Sequence, residues 1–119
     1  MIKPILACQN PYLTAEKFKS AGWAVDFSNP PESGDPLVGV SLFGNEFLLG
    51  ITQGYVETAQ LPYVGCGVEF YLTVPSVEMQ KVHAAHAQFF PTELSIQPWG
   101  DTVFEVKIDG FEFMIVGKD

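Results

Sequence analysis

Glu69 and Tyr71 are the pair whose residue types and spacing suggest acid–base chemistry in this sequence. Residues two apart on a β-strand project to the same face, so a carboxylate and a phenol would lie side by side. Such a pair could exchange a proton with a bound molecule, but the same spacing is also common by chance. We therefore treat both residues as candidate ligand-binding groups and predict no catalytic residue.

Two histidines, His83 and His86, are three residues apart on a predicted helix. This spacing could present both imidazoles to one metal ion. No Asp, Glu or Cys stands at ligand spacing from them, so the sequence favours two exposed histidines over a metal site.

Cys8 and Cys66 have neither the spacing of a zinc site nor that of a redox pair. Cys8 lies in an apolar run, whereas Cys66 lies between two glycines with no basic neighbour that would activate it as a nucleophile. We expect two reduced thiols. A serine-histidine-aspartate arrangement and a phosphate-binding glycine loop are both absent from the sequence.

The charge balance limits the partners of the protein. With 119 residues, 14 acidic and 6 basic, the net charge is −8, which repels phosphate backbones and anionic lipids. The sequence therefore argues against nucleic acid and membrane partners and, with no signal-peptide pattern, predicts a cytoplasmic protein. The acidic balance favours basic or neutral small ligands, although solubility alone would also explain it.

An internal repeat organises the chain. The segment GDPLVGVSLFGNEFLL at 34–49 aligns with GDTVFEVKIDGFEFMI at 100–115 at one constant offset of about 66 residues. Each half is near the lower size limit for independent stability, so the two halves are expected to pack on each other or on a second chain. We predict a single domain with a first module at 1–51, a connector at 52–67 and a second module at 68–119.

Hydrophobic periodicity predicts the same element order, β-α-β-β-β, in both modules. In the first module, Gly22 would end the helix, Trp23 would share the core face of its strand with Val25 and Phe27, and a Gly44-Asn45 turn would close the hairpin. In the second module, Ser76 would cap the helix and Asp109-Gly110 would close the hairpin. The predicted elements span 5–8, 14–21, 23–27, 38–42 and 46–51, then 68–74, 76–87, 89–94, 103–108 and 111–116.

Several stretches resemble one family. The helix end Ala21-Gly22-Trp23 and the segments GVEFYLTVPSVE at 67–78 and QPWGDTVFEVKIDGFEF at 97–113, set in two tandem β-α-β-β-β units, resemble the vicinal oxygen chelate superfamily. This group includes glyoxalases, bleomycin resistance proteins and extradiol dioxygenases, and the bleomycin-resistance branch is the most similar. The resemblance implies an α+β fold of curved mixed sheets with helices on the outer face.

The resemblance also implies where a metal would bind. In the metal enzymes of this family, the first and fourth strands of each unit supply His, Gln or Glu ligands, and the matching positions here are Lys3, Leu48, Glu69 and Met114. Only Glu69 is a suitable donor, because Lys3 adds positive charge and the other two offer no hard ligand. We therefore expect no metal and no cofactor.

Strand alternation then indicates which side chains face the concave side of the sheets. A small floor is expected from Ala7, Gly39 and Gly50, and acids should outnumber Lys3 and Lys107. Such a surface would suit a flat, partly cationic molecule, although the acids could also form a solvated sheet face. Trp99 would either cover the edge of the core, as tryptophan more often does, or line the mouth of the cleft. Tyr55 and Tyr63 on the connector would either fill an interface or act as a lid over a ligand. The candidate ligand-binding residues are Glu46, Leu48, Tyr63, Glu69, Tyr71, Trp99, Glu105, Glu112 and Met114.

Three functions remain open from the sequence. The first is a metal-free, non-catalytic homodimer that binds a cationic or aromatic compound, such as an antibiotic that it sequesters. The second is a metal-dependent glyoxalase, lyase or dioxygenase with relocated ligands, for example Glu46, Glu69 and Glu112. The third is an interaction domain whose sheets bury a partner.

Overall fold

Two four-stranded mixed sheets form the protein, as seen in a computed structural model that describes residues 2–51 and 56–119. The strand orders are β1-β4-β3-β2 and β5-β8-β7-β6, and β1 and β5 each run parallel to their neighbour. The predicted α+β fold of two modules is confirmed. The first module comprises β1 (Ile5–Cys8), α1 (Pro11–Ser20), β2 (Ala24–Ser28), β3 (Leu37–Leu42) and β4 (Asn45–Ile51). The second comprises β5 (Glu69–Pro75), α2 (Met79–Ala85), β6 (Ser95–Ile96), β7 (Thr102–Ile108) and β8 (Phe111–Lys118).

Strand pairing repeats the duplication residue by residue. Ile5 pairs with Leu48 in the first sheet, and Tyr71, its repeat equivalent, pairs with Met114 in the second. Other pairs match in the same way, so the sequence repeat is also a repeat of backbone register. Between the modules, a 3-10 turn spans Thr58–Tyr63. The predicted connector at 52–67 lies partly outside the described residues.

Both hairpins turn on two residues with positive φ. Phe43 and Gly44 have φ of 46° and 83°, and Asp109 and Gly110 have φ of 52° and 89°, as a type I′ turn requires. The Asp109-Gly110 turn is confirmed. The predicted Gly44-Asn45 turn is wrong by one residue, because Asn45 is already the first residue of β4. The side-chain amide of Asn45 donates to the carbonyl of Leu42.

The helices differ from their predicted bounds. Helix α1 begins at Pro11 rather than at residue 14, because the Asn10 side chain accepts hydrogen bonds from the backbone N–H groups of Tyr12 and Leu13. The second predicted helix is divided into a 3-10 turn and the shorter α2. Ser76 does not cap it, since the Ser76 hydroxyl hydrogen-bonds to the carboxylate of Asp119.

The predicted strand at 89–94 is wrong. Phe89 ends a 3-10 turn and Phe90 has a φ of 53°, which interrupts an extended chain. The segment still lies against β7, because the backbone N–H of Thr92 donates to the carbonyl of Glu105 at 2.9 Å. Regular pairing begins only at β6, which has two residues.

A β-bulge changes the direction of Phe27. Trp23 is buried, as predicted, but the register of β2 against β3 shifts between Val25 and Phe27. Phe27 therefore points away from the core face, contrary to prediction. Its ring covers Gly39, where a Cβ atom would lie only 2.4 Å from the Phe27 Cε1 atom.

One aromatic cluster joins the modules. The ring of Phe113, which is fully buried, has its centroid 5.3 Å from Trp23, 5.5 Å from Phe47 and 5.7 Å from both Phe18 and Phe70. These residues come from both modules and belong to a single buried core. The relative position of the two sheets is thus fixed mainly by packing.

His86 lies inside this core and has 0% of its surface exposed, so the prediction of two exposed histidines is wrong for it. Its Nε2 atom accepts from the Trp23 indole at 3.0 Å, and its Nδ1 atom lies 2.8 Å from the Val82 carbonyl. Because the indole can only donate, the ring is neutral with its proton on Nδ1. Burial accordingly lowers the pKa of His86.

A polar contact also links the modules at the surface. The Asp109 carboxylate accepts a hydrogen bond from the Thr14 hydroxyl and one at 2.8 Å from the Lys17 ammonium. Burial alone would raise the pKa of Asp109, but these two donors outweigh it and hold the value below the usual range. Within the described residues, no helix has the length and apolar character needed to cross a membrane.

Candidate functional site

A cavity of about 190 Å³ opens on the second sheet. Tyr71, Met114 and Glu105 are neighbours in one row across β5, β8 and β7, because strand pairing joins each to the next. We call the sheet face that carries this row the open face. The structure brings four predicted ligand-binding residues to the cavity: Tyr71, Trp99, Glu105 and Met114.

Trp99 stands at the rim of this cavity on a tight turn. The backbone N–H of Gln97 donates to the Asp101 carbonyl, that of Gly100 donates to the Gln97 carbonyl, and Gly100 has a φ of 99°. The indole is 70% exposed, and its N–H donates to the Asp101 carboxylate at 2.9 Å. Of the two predicted alternatives, the structure favours the mouth of a cleft over the edge of the core.

An acidic cleft of about 240 Å³ adjoins the cavity and shares Glu105 and Thr92 with it. Glu69 and Glu112 also line this cleft, and they pair directly across β5 and β8. A hydrogen bond with Glu105, together with burial and the nearby carboxylates, raises the pKa of Glu69. The Lys107 ammonium lies 3.3 Å from the Glu112 carboxylate and offsets part of the negative charge of the cleft. The cavity thus joins aromatic walls to an excess of negative charge.

The remaining candidate residues lie elsewhere in the chain. Glu46 and Leu48 are on β4 of the first sheet, where the Glu46 carboxylate bonds to Lys3 at 3.0 Å. Tyr63 is exposed at the end of the 3-10 turn that follows the first module. None of these three lines the cavity of the second sheet. Tyr55 lies outside the described residues.

Sequence reasoning missed three polar residues of the cavity, Thr92, Ser95 and Gln97. The strand predicted at 89–94 gave no reason to single out Thr92. Ser95 and Gln97 lie between that strand and the one predicted at 103–108, where no alternation pattern assigns a face. The Pro-Trp-Gly turn was a usable signal, since Gln97 opens the turn that carries Trp99.

In the first sheet, the place of this cavity is at Gly39, the repeat equivalent of Glu105. The Phe27 ring occupies that place, so Gly39 does not form the open floor that was predicted. Ile5, the equivalent of Tyr71, is 62% exposed. Around Ile5 and Phe27 the corresponding face of the first sheet is therefore apolar and exposed within the described residues, and the Lys3–Glu46 ion pair lies beside this apolar area.

A larger cleft of about 440 Å³ lies between the modules and includes Cys8, Lys17 and Asp109. Its two charged side chains already bond to each other, which leaves little charge for a ligand. Cys8 is a free thiol whose pKa burial raises to about 11, so it is a poor nucleophile. This cleft contains no predicted ligand-binding residue.

The residues do not fit a metal site. Lys3, Leu48 and Met114 offer no hard oxygen or nitrogen ligand at the positions that the resemblance implies. Of the relocated set, Glu69 and Glu112 are neighbours on the second sheet, but Glu46 is on the first and bonds to Lys3. Within 2–51 and 56–119, no three His, Cys, Asp or Glu side chains are grouped so that they could hold a metal ion.

Comparison with known proteins gives a consistent result for the fold. No protein-family model matches the chain, and no curated protein matches it significantly. Among solved structures, a bleomycin resistance determinant encoded on the transposon Tn5 is 12% identical over 100% of this chain and 98% of its own, with a TM-score of 0.67. A lactoylglutathione lyase from Agrobacterium tumefaciens is 12% identical over 98% of this chain and 92% of its own, with a TM-score of 0.64.

A third structure, from Sphaerobacter thermophilus, is described as a member of the glyoxalase/bleomycin resistance protein/dioxygenase superfamily. It is 15% identical over 99% of this chain and 98% of its own, with a TM-score of 0.65. At such low identity the likeness establishes the architecture, and it does so over the whole chain. The protein therefore shares the two-module architecture of these structures, which is the fold that the sequence resemblance implied.

Proposed function

We propose that this protein is a metal-free, non-catalytic binding protein that holds a flat, cationic small molecule at the open face of the second sheet. The observation that carries the proposal is the row Tyr71, Met114 and Glu105, which lines one cavity together with the Trp99 indole. Aromatic faces attract cations and stack on planar groups, while carboxylates oppose the positive charge. The name of the Tn5 bleomycin resistance determinant supports an antibiotic as one ligand, which would be sequestered in the cytoplasm.

The size of the cavity limits what enters it. Sites for drug-sized ligands usually have volumes of roughly 300–1,000 Å³, whereas this cavity has about 190 Å³. One aromatic ring would occupy it, and the cationic part of the ligand would extend to Glu69 and Glu105 in the acidic cleft. A larger antibiotic would therefore place only one planar group inside.

Binding of planar probes should depend on charge. By isothermal titration, benzamidinium should bind more tightly than benzamide, and benzoate should bind least, because the three molecules share their shape and differ in charge. Trp99→Ala should weaken benzamidinium binding about tenfold or more, since loss of an aromatic stacking surface is worth roughly 1–3 kcal/mol. Phe43→Ala, on the exposed first hairpin turn, is the matched control and should change nothing.

Bleomycin tests a larger ligand in the same experiment. If none of these probes binds saturably, the proposal is wrong. Stoichiometric zinc, nickel, manganese or iron in protein purified without chelator would instead favour the metal-dependent enzyme. Capture of a macromolecule at the open face, without small-molecule binding, would favour the interaction domain.

We also propose a homodimer in which the apolar face of the first sheet meets the second sheet of another copy. Ile5 and Phe27 are uncovered on this face, and burial of apolar surface would stabilise the contact. The dimer would bring Phe27 of one copy toward the cavity of the other. Each binding site would then combine strands from both modules.

Light scattering at micromolar concentration should report a dimer for the wild-type protein and a monomer for Phe27→Asp, because a carboxylate is costly to bury at an apolar contact. The control is Phe43→Asp, which introduces the same charge at an exposed turn whose repeat equivalent is already Asp109. A wild-type monomer would contradict the dimer and leave the cavity proposal standing.

A further inference from the structure

The two modules each have a glycine-aspartate turn at the same repeat position, which serves as an internal comparison. Gly34-Asp35 and Gly100-Asp101 are repeat equivalents, and both glycines have positive φ, at 77° and 99°. The backbone carbonyl of each aspartate accepts a hydrogen bond, from the Asn29 side chain at 3.0 Å and from the Gln97 N–H at 2.8 Å. Both modules therefore have a positive-φ glycine and a hydrogen-bonded aspartate carbonyl at this position. The donors are not repeat equivalents, since one is a side chain six residues before Asp35 and the other a backbone N–H four residues before Asp101.

The side chains differ at the residue before the glycine. In the first module this residue is Ser33, whose hydroxyl accepts from the backbone N–H of Asp35 at 3.3 Å. In the second module it is Trp99, whose indole N–H donates to the Asp101 carboxylate at 2.9 Å. The carboxylate-to-indole hydrogen bond is thus an addition found in the module that carries the cavity.

This hydrogen bond restrains a side chain that has few packing contacts of its own. Trp99 is 70% exposed, so few neighbours restrict its rotamers, and an ordered ring at the surface loses conformational freedom. A hydrogen bond to an ionised acceptor is stronger than one between neutral groups. The Asp101 side chain is only 22% exposed and lies 3.8 Å from the Lys118 ammonium, so the acceptor itself is held in place.

We propose that Asp101 is a positioning residue that fixes the Trp99 indole as a preformed wall of the cavity and thereby raises its affinity for planar ligands. The inference rests on the proposed function, because it assigns the wall to the same cavity. If the indole is already ordered before the ligand binds, the binding free energy is not reduced by the entropy lost in ordering it. Asp101 does not need to touch the ligand for this effect.

Two readouts test the inference. The first is the steady-state fluorescence anisotropy of Trp99, obtained as the difference between each variant and its Trp99→Phe counterpart. The second is affinity for benzamidinium and for neutral benzamide.

Asp101→Ala should lower the anisotropy of Trp99 and weaken the binding of both probes about threefold to tenfold. Asp101→Asn, which keeps an oxygen acceptor but no charge, should restore most of the anisotropy and most of the benzamide affinity. Asp35→Ala, at the equivalent turn, should change neither.

The outcomes separate this inference from the proposed function. If Trp99→Ala abolishes binding while Asp101→Ala alters neither readout, the positioning role is wrong and the binding site stands. If neither probe binds the wild-type protein, the proposed function fails, and unchanged anisotropy in Asp101→Ala would overturn the positioning role as well. Lower anisotropy with unchanged benzamide affinity would also overturn it, because positioning would then not affect binding. Chemical unfolding of each variant confirms that the fold is retained.

Discussion

Replacement of Phe113 by alanine should lower the free energy of unfolding by about 3–5 kcal/mol, the usual range for a buried phenylalanine. The Phe113 ring is fully buried and contacts aromatic rings of both modules, including Trp23 of the first and Phe70 of the second. The cavity left behind would therefore weaken the packing within the second module and the packing between modules. Urea unfolding followed by far-ultraviolet circular dichroism measures the change.

Phe90→Ala is the matched control for this prediction. Phe90 is 92% exposed, so its removal should change the free energy of unfolding by no more than about 0.5 kcal/mol. Because the core is shared, Phe113→Ala should shift one cooperative transition. Two separate transitions, with only one of them shifted, would show that the modules unfold independently.

Mild acid should destabilise the protein through His86. Its folded-state pKa is lowered by burial, whereas in the unfolded chain it titrates near the ordinary value of 6.5. Its contribution to stability is therefore complete above pH 6.5 and is lost as the pH falls toward the folded-state pKa. A single proton of this kind changes the free energy of unfolding by at most about 1.4 kcal/mol per pH unit.

The physical reason lies in the groups around the imidazole. The Trp23 N–H points at Nε2, the Phe104 ring packs beside it, and nearby His83 also opposes protonation of His86. A proton on Nε2 would face the indole proton directly. Unfolding by urea at pH 7.0 and pH 5.5 tests the effect. The window lies above the titration of Asp109, whose pKa is lowered, and comparison with a variant that lacks the imidazole accounts for Glu69, whose pKa is raised.

His86→Gln removes the titrating group and provides the comparison. The variant should be less stable than the wild-type protein at pH 7, because glutamine does not reproduce both hydrogen bonds of the ring, but it should lose little further stability at pH 5.5. An equal loss in both proteins between the two pH values would show that another group is responsible.

The sequence was sufficient for the architecture because the repeat, the strand alternation and the glycine turns all agree with the tertiary structure. It was also sufficient to place Tyr71 and Glu105 on the same face of the second sheet, because alternation along a regular strand determines which face a side chain takes. It placed Phe27 on the wrong face, because a bulge reverses the alternation of the strand and no local sequence pattern indicates the bulge. It failed at His86 for a different reason, since only tertiary contact with Trp23 satisfies both nitrogens of a buried ring.

Each sheet has one outer edge far from the strand that starts its module, formed by β2 in the first sheet and by β6 in the second, and these two edges affect how copies of the chain can associate. Strand β2 carries a bulge, and β6 has only two residues, so neither outer edge offers a long, regular row of free N–H and C=O groups. Such blunted edges resist the addition of a further strand from another molecule. Open-ended association of copies by strand addition at β2 or β6 is thereby disfavoured, whereas side-chain contact between sheet faces, which the proposed homodimer requires, is not affected.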